Sequence, residues 1–370
     1  MKSTIASAAT LLAAASALPH TVILRCRSYV APKRATGVQY FGVNIAGFDF
    51  GCATNAKLII SQGTCVTTQV YPPLSALGGP DGAGQMSHFA KDNSMNIFRL
   101  PVGWQYLLNN NLGGTLDGGN FGKYDQLVQA CLATGASCIV DVNARWNGQI
   151  IGQGGPTNDQ FANVWSQLAT KYASKAKVIF GLMNEPHDVP DINAWAKSVQ
   201  AAVTAIRKVE SQAGGSAHMI LIPGNDWTSA AAFPTKSGPA LLNVTNPDGS
   251  TTGLVFDVHK YSDSDNSGTH TECTTDNIST AFAPLAAWLR TNKRQALNSE
   301  MGGGNTASCQ QYICAQVKYV NQNADVYLGY VGWSAGSFDP RTYELSEVPT
   351  KNGNTWTDTA LVKSCFKNTA

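Results

Sequence analysis

Charge is scarce in this chain of 370 residues. Asp, Glu, Lys and Arg make up 14% of it, and 26 basic against 24 acidic side chains leave a formal net charge of +2. So even a balance gives no electrostatic footprint for nucleic acid or for an anionic membrane surface, and neither is expected as a partner. Long hydrophobic runs are missing too: no segment approaches the roughly 18 uninterrupted apolar residues of a spanning helix. The nine cysteines include no C-x-x-C pair at zinc-finger spacing, so no structural metal is expected. The first apolar strand is followed by no glycine-rich phosphate loop; Gly42-Val43-Asn44-Ile45-Ala46-Gly47 does not fit one.

What is present is core. An apolar content of 43% rules out a disordered chain. The length would suit two or three average domains, but a single α/β barrel also reaches it. At the amino end, Met1 and Lys2 precede a small and apolar run from Ile5 to Ala17 that closes on Ala15-Ser16-Ala17. This pattern reads as a signal peptide over residues 1–17 and predicts a secreted, extracellular protein. Residues 18–36, with a basic stretch from His20 to Arg34, stay unassigned, and one domain is expected over 37–367. Sequons at Asn243 and Asn277 are compatible with export. Exported cysteines are mostly paired. Cys26 is the natural leftover, which leaves Cys52, Cys65, Cys131, Cys138, Cys273, Cys309, Cys314 and Cys365. The local pairs Cys52–Cys65 and Cys131–Cys138 are plausible, but eight cysteines allow about 105 connectivities and spacing does not choose among them.

Short apolar segments recur at Tyr40–Ile45, Asn96–Leu100, Ser137–Val142, Lys177–Met183, His218–Ile222, Leu254–Val258, Gln295–Asn298 and Val326–Trp333. Amphipathic helical patterns fall between several of them, at Tyr124–Thr134, Gln160–Ala173, Ile192–Ser211, Phe282–Asn292 and Cys309–Asn323. Buried strands alternating with helices mean parallel β/α units, and eight units fit a (β/α)8 TIM barrel better than an open sheet. A barrel places chemistry at the carboxyl ends of its strands. There the sequence sets Arg99, Asn184 and Glu185, His259 and Tyr261, Glu300, and Trp333.

Each of these has a bland explanation taken singly: a rim arginine, a first-turn acid, a core tryptophan. Their coincidence at one end of one barrel points to a site. Glu185 and Glu300 are expected at the ends of strands four and seven, across the barrel mouth. Cleavage of a glycosidic bond needs two such carboxyl groups, one protonated to donate to the leaving oxygen and one ionised. Arg99 would keep one of them ionised. His259 and Tyr261, two apart on a strand end, would hydrogen-bond the same group. Trp333 offers a flat face for a sugar ring.

These motifs resemble glycoside hydrolase family 5, the retaining β-glycanases, and specifically its fungal secreted endo-β-1,4-glucanases. The resemblance runs from about residue 38 to the carboxyl end. It is carried by Gly42 to Asp49, Phe98-Arg99-Leu100-Pro101, Ala144-Arg145-Trp146-Asn147-Gly148 and Met183-Asn184-Glu185-Pro186-His187-Asp188. Further on it rests on Pro223-Gly224-Asn225-Asp226-Trp227, Phe256 to Tyr261, Glu300 with its glycines, and Gly329 to Phe338. It implies that Glu185 is the acid/base and Glu300 the nucleophile. By the same resemblance Asn184 touches the sugar 2-OH, Arg99 and Tyr261 orient Glu300, His259 lines the site and Trp333 floors the cleavage subsite. Trp146 and Trp227 are further substrate-binding candidates. The resemblance also implies the pairs Cys273–Cys309 and Cys314–Cys365, action on cellulose or β-glucan, and no cofactor or metal; separately, a monomer is expected. Two departures stand out. After strand three the family usually carries His-Asn-Tyr before Ala-Arg-Trp, whereas Asp141-Val142 runs through the single Asn143 into Ala144. A loop so shortened would shift Arg145 and Trp146. Between Cys52 and Cys65, Asn55 to Gln62 is longer than the family loop. The competing readings are an activity-impaired carbohydrate-binding homologue, and a mannanase or xyloglucanase of the same clan.

Overall fold

In the computed structural model, which describes residues 37–52, 65–143, 146, 148–215 and 217–367, eight parallel strands close into a barrel. In chain order they are β1 (Tyr40–Ala46), β2 (Ile97–Gly103), β3 (Ser137–Asn143), β4 (Val178–Gly181), β5 (Ile220–Pro223), β6 (Leu254–His259), β7 (Ala296–Met301) and β8 (Tyr327–Gly336). The (β/α)8 reading is therefore right. The leader at 1–17, the segment 18–36 with Cys26, the loop Asn55–Gln62 and Arg145 lie outside the described residues.

A strand turns alternate side chains to opposite faces, and the barrel uses that period to sort its layers. Ile97, Ile139, Ile179, Leu221, Val255 and Leu297 pack together as an apolar cluster. Their neighbours one residue on, among them Phe98, Val140, Phe180, Ile222 and Phe256, join the larger core beneath the helices. Two residues beyond that apolar ring, β2 places Arg99, β3 Asp141, β6 Asp257 and β7 Ser299, all buried. Charge thus stands directly on a hydrocarbon floor. Gly181 makes room for it, since a Cβ there would lie 2.4 Å from Asp141 Oδ1.

The helices form where a cap and an apolar stripe coincide. Thr157 and Gln160 close a capping box at the start of Asn158–Tyr172, whose Phe161, Val164, Trp165, Leu168 and Tyr172 are buried at helical spacing. The helix expected at Tyr124–Thr134 instead spans Gly118–Ala133, because Asp117 accepts from the Gly119 and Asn120 N–H groups and starts it early. Glycines in that first turn hid the signal. The expected strand-end placements need correction: Arg99 and Trp333 lie inside β2 and β8, which run on to Gly103 and Gly336. β4 stops at Gly181, so Glu185 lies four residues past the strand rather than at its end. β6 stops at His259, so Tyr261 is in the following loop. A small hairpin, β9 (Thr350–Asn352) with β10 (Thr355–Thr357), was not foreseen.

Among the described residues, four disulfides join Cys52–Cys65, Cys131–Cys138, Cys273–Cys309 and Cys314–Cys365. The third sits under the loop that follows Glu300: a Cβ on Gly303 would lie 2.4 Å from Cys273 Sγ, so only glycine fits there. Leu221, fully buried in the floor, is expected to cost about 2–5 kcal/mol when replaced by alanine. The fall in the urea unfolding midpoint checks this.

Candidate active site

Above the floor the polar groups converge on one guanidinium. Arg99 is fully buried. Its Nη1 donates to Glu300 Oε2 at 2.9 Å and to Asn44 Oδ1 at 3.0 Å. Its Nη2 donates to Asp141 Oδ2 at 2.8 Å and to Asn184 Oδ1 at 2.5 Å. Burial by itself would lower the arginine's pKa, but Asp141 and Glu300 raise it, so the charge is permanent. Burial lifts Asp141 to about 7 while Arg99 pulls it down.

Two local irregularities aim the carboxylates. The pairing register of β7 shifts between Asn298 and Met301, a bulge that breaks strict alternation and lets Ser299 and Glu300 both face the interior. Glu185 has φ of 44°, a left-handed conformation rare outside glycine. Its backbone turns the carboxylate over the barrel mouth, where Oε1 lies 2.8 Å from His259 Nδ1. The same nitrogen is 3.7 Å from Glu300 Oε2. One oxygen of Glu185, one of Glu300 and a ring nitrogen of His259 all lie within 4.8 Å of one another.

His259 and Tyr261 do not bind one shared group, as their spacing suggested. His259 takes Glu185, while the Tyr261 hydroxyl donates to Glu300 Oε1 at 2.5 Å. The reason is the end of β6 between them, which frees Tyr261 from the strand's alternation. Burial would depress His259, yet Glu300, the hydrogen bond to Glu185 and Asp257 raise it to about 9. Burial and the adjacent Glu185 raise Glu300 above the ordinary 4.5, against the pull of His259, Arg99 and the Tyr261 hydroxyl.

A cavity of about 440 Å³ opens beside this pair, lined by Glu185, His259, Tyr261, Asp226, Trp227 and Asn266 among others. Trp227 is 45% exposed and stacks on His187 with ring centroids 4.7 Å apart. Trp333, half-buried within β8, donates through Nε1 to the Tyr343 hydroxyl at 2.7 Å. Trp146 is buried edge-on against Trp104, with centroids 5.6 Å apart. The neighbouring Ala144, Arg145 and Asn147 are outside the described residues, so the shift expected there has no description. Sequence reasoning missed Asn44, Asp141, Asp257 and Ser299 as members of the site. The available signal was a polar side chain inside an otherwise apolar buried strand.

A family model for cellulase, glycosyl hydrolase family 5, matches residues 59–339. The chain belongs to glycosyl hydrolase family 5. Among members of the family, endoglucanase EG-II of Hypocrea jecorina is 64% identical over 339 residues, covering 90% of this chain and 78% of that protein. The manganese dependent endoglucanase Eg5A of Phanerodontia chrysosporium is 46% identical over 318 residues, covering 85% of this chain and 76% of that one. The crystal structure of Cel5A (EG2) from Hypocrea jecorina shares the family fold with a TM-score of 0.85 at 62% identity. That match covers 90% of this chain and all of that one.

Tyr261→Phe tests the electrostatics of the pair. The hydroxyl favours ionised Glu300, so its removal raises that pKa further, and activity that needs the anion is lost at a higher pH. We expect the acid limb of the kcat/KM profile to move upward and kcat to fall about 10- to 100-fold.

Proposed function

We propose that the chain is a secreted endo-β-1,4-glucanase that works by double displacement, with Glu300 as nucleophile and Glu185 as acid and then base. The observation that carries this reading is the closeness of the two carboxylates, whose nearest oxygens lie within 4.8 Å. Retaining glycosidases hold their carboxyl groups about 5–5.5 Å apart; inverting ones leave about 6.5–9.5 Å for a water between them. Glu300 attacks the anomeric carbon while Glu185 gives its proton to the departing glycosidic oxygen. Glu185 then takes a proton from the water that hydrolyses the glycosyl ester. Arg99 stabilises the attacking anion. By accepting Arg99's N–H, the Asn184 carbonyl leaves the amide N–H2 free to donate to a sugar hydroxyl. Trp333 and Trp227 supply ring faces on which sugar residues can stack.

The substrate class follows from the relatives, which are endoglucanases. The reading as an impaired binding protein is not favoured, because both carboxylates and the whole Arg99 cluster are in place. Four disulfides among the described residues fit an oxidising, extracellular setting. The large apolar residues exposed among those described are Val66, Tyr71, Leu77 and Trp227, too few for an obligate interface, which supports a monomer.

One relative's name raises a metal. Asp263, Asp265 and His270 bring three donor atoms together. The Asp263 carboxylate, however, already accepts from the Gly268, Thr269 and His270 N–H groups and from Ser267 Oγ. At the catalytic pair, a proton on His259 and the charge of Arg99 oppose a cation. Neither set fits a resident metal, and dialysis against EDTA is expected to leave the hydrolysis rate of carboxymethyl cellulose unchanged.

Glu185→Gln and Glu300→Gln are each expected to lower kcat on that substrate about a thousandfold or more while the fold persists. The two differ on an aryl cellobioside whose phenol needs no protonation. There Glu185→Ala recovers much of its glycosylation rate, seen as a burst of phenol, and Glu300→Ala does not. Near-parent turnover in either glutamine variant contradicts the assigned role.

A further inference from the structure

Behind His259, on the side away from the cavity, stands a short polar chain that the mechanism above leaves unused. His259 Nε2 lies 3.0 Å from Ser299 Oγ, and the Ser299 hydroxyl donates to Asp257 Oδ1 at 2.5 Å. Both residues are buried, Ser299 completely. Asp257 and His259 face inward two residues apart on β6, and the adjacent β7 brings Ser299 between them. The second carboxylate oxygen of Asp257 has no hydrogen-bond partner among the described residues.

The polarity of this chain is forced. Ser299 has one proton, and a buried carboxylate with so few partners takes it, because leaving that charge undonated is strongly unfavourable. The serine oxygen then faces Nε2 with lone pairs only, so Nε2 must carry a hydrogen. That leaves Nδ1, 2.8 Å from Glu185 Oε1, as the nitrogen that gains and loses a proton.

We propose that Ser299 and Asp257 are positioning residues for the acid/base: they pin the Nε2 proton of His259, so that Nδ1 and Glu185 share one catalytic proton. This rests on the reading of Glu185 as acid/base. The proton count closes. The shared proton leaves with the glycosidic oxygen, Nε2–H stays in place throughout, and the hydrolytic water returns a proton to the pair. The charged groups facing the imidazole are Glu185 from the turn after β4, Glu300 from β7 and Asp257 from β6, with Arg99 and Asp141 behind them. Lys260 and Asp226 stand at the cavity rim. Of these, Asp257 alone reaches Nε2 through a hydroxyl.

The test is the pH dependence of kcat/KM for carboxymethyl cellulose in Ser299→Ala, Ser299→Thr and Asp257→Asn. Losing the acceptor or the charge behind Nε2 makes the imidazolium less favourable. The alkaline limb is therefore expected to fall by about one pH unit in Ser299→Ala and Asp257→Asn. Ser299→Thr keeps the hydroxyl and restores the limb. A merely structural role lowers kcat at every pH without moving the limb, and there threonine, with its extra methyl in a sealed site, is no better than alanine. An unmoved limb in folded Ser299→Ala, or no restoration by threonine, overturns the relay. Should the variants not fold, 15N-histidine spectra of the parent protein decide it: as pH rises His259 must lose the Nδ1 proton and keep Nε2–H, and the opposite tautomer refutes the proposal. Failure of the underlying reading is separate, since it appears as a Glu185→Ala variant that an activated leaving group does not rescue.

Discussion

A single buried cation organises this site. Arg99 receives groups from β1, β3 and β7 and from the turn after β4, so most of the barrel's mouth is tied to one side chain on β2. A guanidinium in such a place is costly to desolvate and is kept only with its partners around it. Two of them are carboxylates of different kinds. Asp141 is sealed in the lumen and accepts from the second guanidinium nitrogen. Glu300 sits higher, and its second oxygen goes to Tyr261. Arginine's planar fork suits this role better than lysine, because it holds several acceptors in fixed directions at once. The enzyme thereby keeps a carboxylate anionic in a place where burial pushes the other way.

The opposite requirement falls on Glu185, which has to hold a proton a few ångströms away. It is not tied to Arg99 and does not lie on a strand. A left-handed backbone conformation lifts it over the mouth, where its carboxylate meets an imidazole. The two acids are thus given different electrostatic surroundings by different backbone devices, a bulge for one and a strained turn for the other. Both devices stand where regular pairing ends, above a floor of packed aliphatic side chains. Rigidity below and irregularity above are properties of the same strands.

Much of this was legible in the residues. Alternating apolar strands and amphipathic helices indicated the barrel, and the rule that strand ends carry chemistry selected Arg99, Glu185, His259, Tyr261, Glu300 and Trp333. The inner layer was not legible. Asp141, Asp257 and Ser299 lie within strands, where a polar residue reads as an interruption until the barrel's period shows that all three point to one axis. Nor could spacing divide His259 from Tyr261, since that depends on β6 ending between them. The exact position of Glu185 was missed for a related reason: Leu182 and Met183 continue the apolar run although the strand has stopped. The pairings Cys273–Cys309 and Cys314–Cys365 came only from family likeness, because helices and loops distant in sequence bring them together.

The most direct test of the account is to trap the intermediate it requires. A 2-deoxy-2-fluoro-cellobioside with a good leaving group slows hydrolysis of the glycosyl ester more than its formation, so the enzyme accumulates with sugar attached. Peptide mass spectrometry of the inactivated protein is expected to find one 2-deoxy-2-fluoro-cellobiosyl unit, on the peptide containing Glu300 and on that side chain. Label on Glu185 would contradict the account, as would turnover with no covalent adduct and inverted configuration in the first-formed product.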